Sequence, residues 1–270
     1  MNKNIKMHII SFGNNIGYQR LSLDILKKIK KRYPLSTYRL YTEKDLPSEI
    51  LNFCHQHKRG FGYWIWKPII IKHALKSMDD GNILFYVDGR TDFRSKSISW
   101  LENFYNNRDY QIAAYQMEQN LEYQWTNAKF FEHFGFENSV EIMKSGQFAA
   151  TFSLFRKNPL SLKLINDWNE LFLNNKDLFL DNYSGLKGYD FIENRHDQSA
   201  FSLLLKRAIM QKMNVYTINT KEMYSKNSLT LHGKSHPHGK FGLFVRYNKL
   251  FNFYYPIVIK LKNTFLKLSK

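Results

Sequence analysis

Four short stretches of this chain concentrate side chains able to bind phosphate, hold a cation or move a proton. The first is Arg59-Gly60-Phe61-Gly62-Tyr63-Trp64-Ile65-Trp66-Lys67-Pro68. Pro68 suits the first position of a helix, and a helix start presents free N–H groups and a positive dipole end to phosphate. Arg59 and Lys67 add full charges, and Gly60 and Gly62 let backbone approach a ligand closely. Tyr63 and the tryptophans, Trp66 among them, can line a base or sugar pocket. The plainer reading is a buried aromatic corner with two surface cations. The second stretch is Tyr86-Val87-Asp88-Gly89-Arg90-Thr91-Asp92. An apolar strand, 83–87, delivers an acid at its carboxyl end, where open α/β sheets bind ligands. A carboxylate there can hold a divalent cation or a ribose hydroxyl, or simply cap a turn.

The third stretch, Glu193-Asn194-Arg195-His196-Asp197-Gln198-Ser199, crowds acid, base and imidazole at one helix start. Asp197 is the candidate general base or acceptor-positioning acid, with Glu193 behind it. Its plainer role is an N-cap. The fourth, 231–240, sets His232, His236 and His238 in a loop with glycine and proline. One histidine from it could supply a metal ligand beside Asp88.

The elements that must position these residues alternate. Strands are predicted at 7–13, 38–42, 83–87, 111–116, 148–155 and 215–218. Helices are predicted at 18–32, from Pro47 to about 57, and at 68–78, 98–105, 160–173 and 197–207. In the first helix Leu21, Ile25, Leu26 and Ile29 share one face. Strands separated by helix-length segments predict βαβ units: an α/β chain with a mostly parallel central sheet and helices on both faces.

Composition narrows the class. The 270 residues carry 43% hydrophobic and 23% charged side chains, ordinary globular usage that argues against a disordered chain. One cysteine, Cys54, excludes an intramolecular disulfide and a multi-cysteine zinc site. No stretch of about eighteen apolar residues is present, and the N-terminus lacks a signal-peptide run, so a soluble protein on the cytoplasmic side is expected. The net charge of +17 suits nucleic acid, an anionic membrane or a phosphorylated substrate. Part of that basicity is attributable to AT-rich codon usage. After Glu222 the chain has no acid but nine Lys or Arg, interleaved from Phe241 onward with Phe and Tyr. That pattern suits an anionic lipid interface; the alternative is a last element packed on the domain. The chain therefore divides into a domain at 1–240 and a basic aromatic segment at 241–270.

Together, RGFGYWIWKP at 59–68, ILFYVDGR at 83–90, GQFAATFSLFRK at 146–157 and RHDQSAFSLL at 195–204 resemble a family of bacterial surface-polysaccharide glycosyltransferases. The likeness covers roughly residues 5–235. It implies a GT-A-like, Rossmann-related fold and transfer of a sugar from a nucleotide-sugar donor, with a UDP-sugar favoured, in capsule, lipopolysaccharide or lipooligosaccharide synthesis. It implies a lipid-linked or oligosaccharide acceptor, a peripheral position at the inner face of the cell membrane, and no nucleic-acid partner. Donor contacts fall to Arg59, Gly60, Tyr63, Trp66, Lys67, Asp88, Arg90 and His196. Asp88 stands at the family's donor-site acid, where an Asp-x-Asp motif usually holds Mn or Mg. Here the next acid is delayed to Asp92. Either Arg90 offsets the leaving-group charge, or Asp92 and His232 complete a metal site. The competing readings are a non-catalytic basic module that binds nucleic acid or glycan, and a polysaccharide phosphotransferase.

Overall fold

A computed structural model describes residues 4–93, 99–181, 184–224 and 229–230. Six strands form the central sheet: β1 (His8–Phe12), β2 (Thr37–Tyr41), β3 (Ile83–Val87), β5 (Ile112–Leu121), β6 (Gly146–Arg156) and β7 (Val215–Ile218). Their order is β2-β1-β3-β6-β5-β7. β1 pairs in parallel with β2 and β3, and β5 with β7, whereas β6 runs antiparallel to both its neighbours. A short pair, β4 (Asp92–Phe93) and β8 (Leu229–Thr230), lies apart from it. The α/β class and the predominantly parallel sheet are as the sequence predicts. The reversed β6 is the exception that strand–helix alternation does not reveal.

Helices cover both faces. On one side lie α1 (Ile16–Arg32), α5 (Ser99–Asn106) and α11 (Thr220–Tyr224). On the other lie α2 (Ser48–Gln56), α4 (Trp66–Lys76), α9 (Pro159–Asn174) and α10 (His196–Met210), with a single turn, α3 (Gly60–Tyr63), between α2 and α4. Strand β3 shows why two cores form. Leu84 and Tyr86 enter the core under α4, α9 and α10, whereas Ile83, Phe85 and Val87 enter the core under α1 and α5. A strand buried on both faces reads as a continuous apolar run, and the period of two divides it between the layers.

Boundaries differ from expectation in instructive ways. In α1 the buried residues are Ser22, Ile25, Leu26 and Ile29. Ser22 replaces Leu21 because its hydroxyl donates to the Phe12 carbonyl at 2.7 Å. Helix α4 begins two residues before Pro68. The segment 122–143, given no structure by periodicity, holds three short helices: α6 (Glu122–Trp125), α7 (Ala128–Phe134) and α8 (Val140–Met143). Each is too short to establish a helical period, and Asn127 and Ser139 cap the second and third. The segment 241–270 and the histidines of 231–240 lie outside the described residues.

Candidate active site

The site is assembled at the carboxyl end of β3. Asp88 follows Val87 and keeps the even parity of Leu84 and Tyr86, which turns it to the α4–α10 face. There the Tyr86 hydroxyl donates to Asp88 Oδ1. Lys67, from the first turn of α4, places its Nζ 3.7 Å from the same oxygen and 2.7 Å from Asp197 Oδ2. The ammonium also donates to the Ala150 carbonyl at 3.1 Å. That carbonyl lies where the β5–β6 register shifts. The neighbouring Ala150 N–H goes to Gln198 Oε1 at 3.4 Å, so groups at the irregularity are taken up by side chains of the site.

Two carboxylates far apart in sequence thus converge on one ammonium. Lys67 and Asp197 side chains are 4% and 6% exposed, whereas Asp88 is 27% exposed, so Asp88 is the acid of the three-charge cluster open to a ligand. Burial pushes the Asp197 carboxyl up to about 6, and the Lys67 charge only partly opposes it. Burial alone would lower the Lys67 ammonium, but Asp197 and Asp88 outweigh it and hold it above its ordinary value. Burial, then the Asp88 charge, raises the Tyr86 hydroxyl well above the phenolic range.

A second cluster adjoins the first. Arg59 forks between Asp181, at 2.8 Å, and Glu193. Asp181 also accepts from the Tyr63 hydroxyl at 3.0 Å and lies 3.6 Å from His196 Nε2. The Tyr63 ring packs on the His196 imidazole with centroids 4.7 Å apart, and His196 Nδ1 is 2.7 Å from the Phe179 carbonyl. Burial first, then the Arg59 charge, depresses His196 to about 4, so the imidazole is neutral at physiological pH. Burial and the bond to Asp181 push Tyr63 up to about 12.

The stretch 59–68 acquires its shape from five consecutive left-handed residues. Gly60, Phe61, Gly62, Tyr63 and Trp64 have φ of 57, 50, 77, 54 and 60°. Left-handed conformers cost non-glycine residues roughly 1–2 kcal/mol each, and burial of Tyr63, Ile65 and Trp66 offsets the strain. A Cβ on Gly60 would come within 2.4 Å of the Trp64 ring, so glycine is also needed there for space. This turn corrects three expectations. The start of α4 is not an open phosphate cradle, because the Ile65 and Lys67 N–H groups bond to the Gly62 and Trp64 carbonyls. Lys67 is not a surface cation; its charge is committed to Asp88 and Asp197. Trp66 is buried, stacked on Phe12 with centroids 4.0 Å apart, and belongs to the core. Asp197 is not the N-cap of α10; Arg195 holds that position.

Arg90 is half-buried at the end of β3. Asp92 lies in β4, and His232 falls outside the described residues. Among the described residues no three His, Cys, Asp or Glu side chains gather as a metal site. Sequence reasoning missed Asp181, a lone acid in an irregular segment that gave no periodic or motif signal. It also missed a buried network next to the site. Glu122 accepts from Lys206 and Thr126, each at 2.7 Å, from Gln147 at 3.3 Å, and from Ser202. Gln147 accepts in turn from Gln198 at 2.5 Å, and Gln198 adjoins Asp197.

No protein-family model matches the chain, and no curated protein matches it. Among solved structures it is similar to a glycosyltransferase involved in the glycosylation of the major capsid of PBCV-1. That likeness has 10% identity and a TM-score of 0.45, over 80% of this chain and 81% of the other. No helix among the described residues is long and apolar enough to cross a membrane.

Proposed function

We propose that this protein is a glycosyltransferase that moves a sugar from a nucleotide-sugar donor to a glycan acceptor. The observation that carries the reading is the convergence of Asp88 and Asp197 on the Lys67 ammonium at the carboxyl end of β3, the rim where open α/β sheets hold ligands. Asp88, open to the rim, faces the donor and takes a ribose or sugar hydroxyl. Breaking the sugar–phosphate bond leaves a diphosphate whose developing charge must be met by fixed cations. Arg90 beside Asp88 and the part-exposed Arg59 guanidinium supply them. Asp197, raised to about 6 but buried against Lys67, is the inner acid of the cluster, and it takes the acceptor proton only where the bound acceptor reaches it past Asp88, if attack comes from the face opposite the leaving group. If the anomeric configuration is retained, no base is required and Asp197 orients the acceptor. The Tyr63 ring and His196 wall the site beside it.

The finer reading is a hexosyltransferase of bacterial capsule, lipopolysaccharide or lipooligosaccharide synthesis. It would use a UDP-sugar and a lipid-linked or oligosaccharide acceptor at the inner membrane face. The four motif segments and the acid-free basic tail support it. A thermal-shift panel of UDP-, GDP-, dTDP- and CMP-sugars tests the reading, followed by assay of donor hydrolysis. One nucleotide class should raise Tm and be slowly hydrolysed. No stabilisation by any donor would remove the enzymatic reading and favour a non-catalytic basic module.

A further inference from the structure

We propose that the Lys67 ammonium is the built-in cation of this site: it stands between Asp88 and Asp197 and neutralises them, so nucleotide binding is metal-independent. The nucleotide rests on the glycosyltransferase reading; the cation does not. An ammonium has three donors and no acceptor. Here it faces Asp197 Oδ2 at 2.7 Å, the Ala150 carbonyl at 3.1 Å and Asp88 Oδ1 at 3.7 Å. All three are protein oxygens, and the side chain is 4% exposed, so the charge neutralises the carboxylates and does not reach a phosphate. Asp88 Oδ1 already accepts from Tyr86.

A metal fits this arrangement poorly. Mg and Mn require about six oxygen ligands with near-octahedral geometry. Of the two acids, one is buried against Lys67, and the other has one oxygen that accepts from Tyr86 and faces the Lys67 charge at 3.7 Å. A divalent ion on Asp88 would also sit close to a fixed ammonium in a part-buried setting, where like charges repel strongly. The Asp-x-Asp spacing absent from the sequence agrees with this chemistry. Where an acidic pair recruits a metal, this chain supplies a positive side chain from α4.

Two arms test the inference. The first uses the ligand-free protein and Mn2+ titration followed by electron paramagnetic resonance. Wild type should bind Mn2+ no tighter than about 1 mM, whereas Lys67→Met, which vacates the position between two carboxylates, should gain a site at least about tenfold tighter. Micromolar Mn2+ binding by wild type that Asp88→Asn removes would overturn the proposal. If Lys67→Met does not fold, the wild-type and Asp88→Asn titrations decide it alone. The second arm is calorimetry with UDP, GDP and dTDP in EDTA and in Mn2+. The nucleotide that binds should do so with affinities within about threefold of each other; a tenfold or greater requirement for Mn2+ also overturns it. Failure of every nucleotide in both buffers would sink the glycosyltransferase reading instead, with the Mn2+ titration still deciding the cation.

Discussion

Asp88 is where the pleat of β3 becomes chemistry. Its parity with Tyr86 and its place one residue beyond the strand turn a carboxylate from the apolar sheet toward Lys67 and Asp197. Asp88→Asn keeps the shape and removes the charge. We expect transfer to fall by about 10²–10³-fold, the usual scale for loss of one fixed electrostatic group, with circular dichroism and Tm near wild type. Near-normal turnover in a folded Asp88→Asn protein would displace the donor site from β3. The neighbours His196 and Asp197 titrate with opposite signs. His196, depressed to about 4, binds its proton less well folded than unfolded, so its contribution to stability is lost as pH falls from 6.5 toward 4. Asp197, raised to about 6, binds its proton better folded, so its contribution is lost as pH rises from 3.8 through 6. Each amounts to about 3 kcal/mol at most, and they oppose each other. Denaturant melts between pH 4 and 7 should therefore be flatter for wild type than for either variant. Asp197→Asn should gain stability with rising pH and His196→Gln should lose it; parallel slopes in all three would refute the assignment.

At the scale of elements, the left-handed turn between α2 and α4 sets the approach of α4 and so aims Lys67. Gly62 lies at its centre with φ 77°, and a Cβ there would meet Cys54 Sγ at 2.6 Å and Cys54 Cα at 2.9 Å. Gly62→Ala should cost about 1–2 kcal/mol from conformation alone, which for a domain of this size lowers Tm by roughly 2–8 °C. A Tm within a degree of wild type would show that the turn relaxes freely. Helix α10 has its own anchor. The buried Glu122–Lys206 pair ties it to α6, and Gln147 on β6 links that pair to Gln198. Removing one partner of such a pair strands the other charge, and costs about 3–5 kcal/mol. Lys206→Met should therefore destabilise strongly, and the double variant Glu122→Leu/Lys206→Met should be more stable than Lys206→Met in urea titrations. A double variant no better than the single would show that Glu122 is held by its hydroxyl and amide donors alone.

At the scale of the molecule, the net charge of +17 carries the proposal of an anionic-surface partner. Residues 241–270 carry six Lys or Arg among aromatics. Each cation near an anionic bilayer contributes about 1 kcal/mol, screened by salt. Truncation before Phe241 should abolish salt-sensitive flotation with anionic vesicles while donor hydrolysis persists. A truncated protein that still floats would show that residues 241–270 are not the membrane anchor proposed here.

The sequence by itself determined the elements and the candidate groups. Periods of two and 3.6 are local, so the six central strands and the longer helices were legible to within a few residues, and Asp88 and Asp197 could be singled out from strand-end and helix-start positions. It also determined composition, and with it the basic tail. Tertiary structure decided what those groups do to one another. The direction of β6 depends on which neighbours it pairs with, which no local pattern carries. The five left-handed residues at 60–64 persist because surrounding packing outweighs their strain, so a rule built on intrinsic preference expects an open helix start there. Lys67 reads as a phosphate-binding cation in one dimension because its nearest charged neighbours in sequence are other cations. It becomes the partner of Asp88 and Asp197 because the sheet and α10 bring two distant carboxylates to it, and burial leaves an ammonium no better place for its charge.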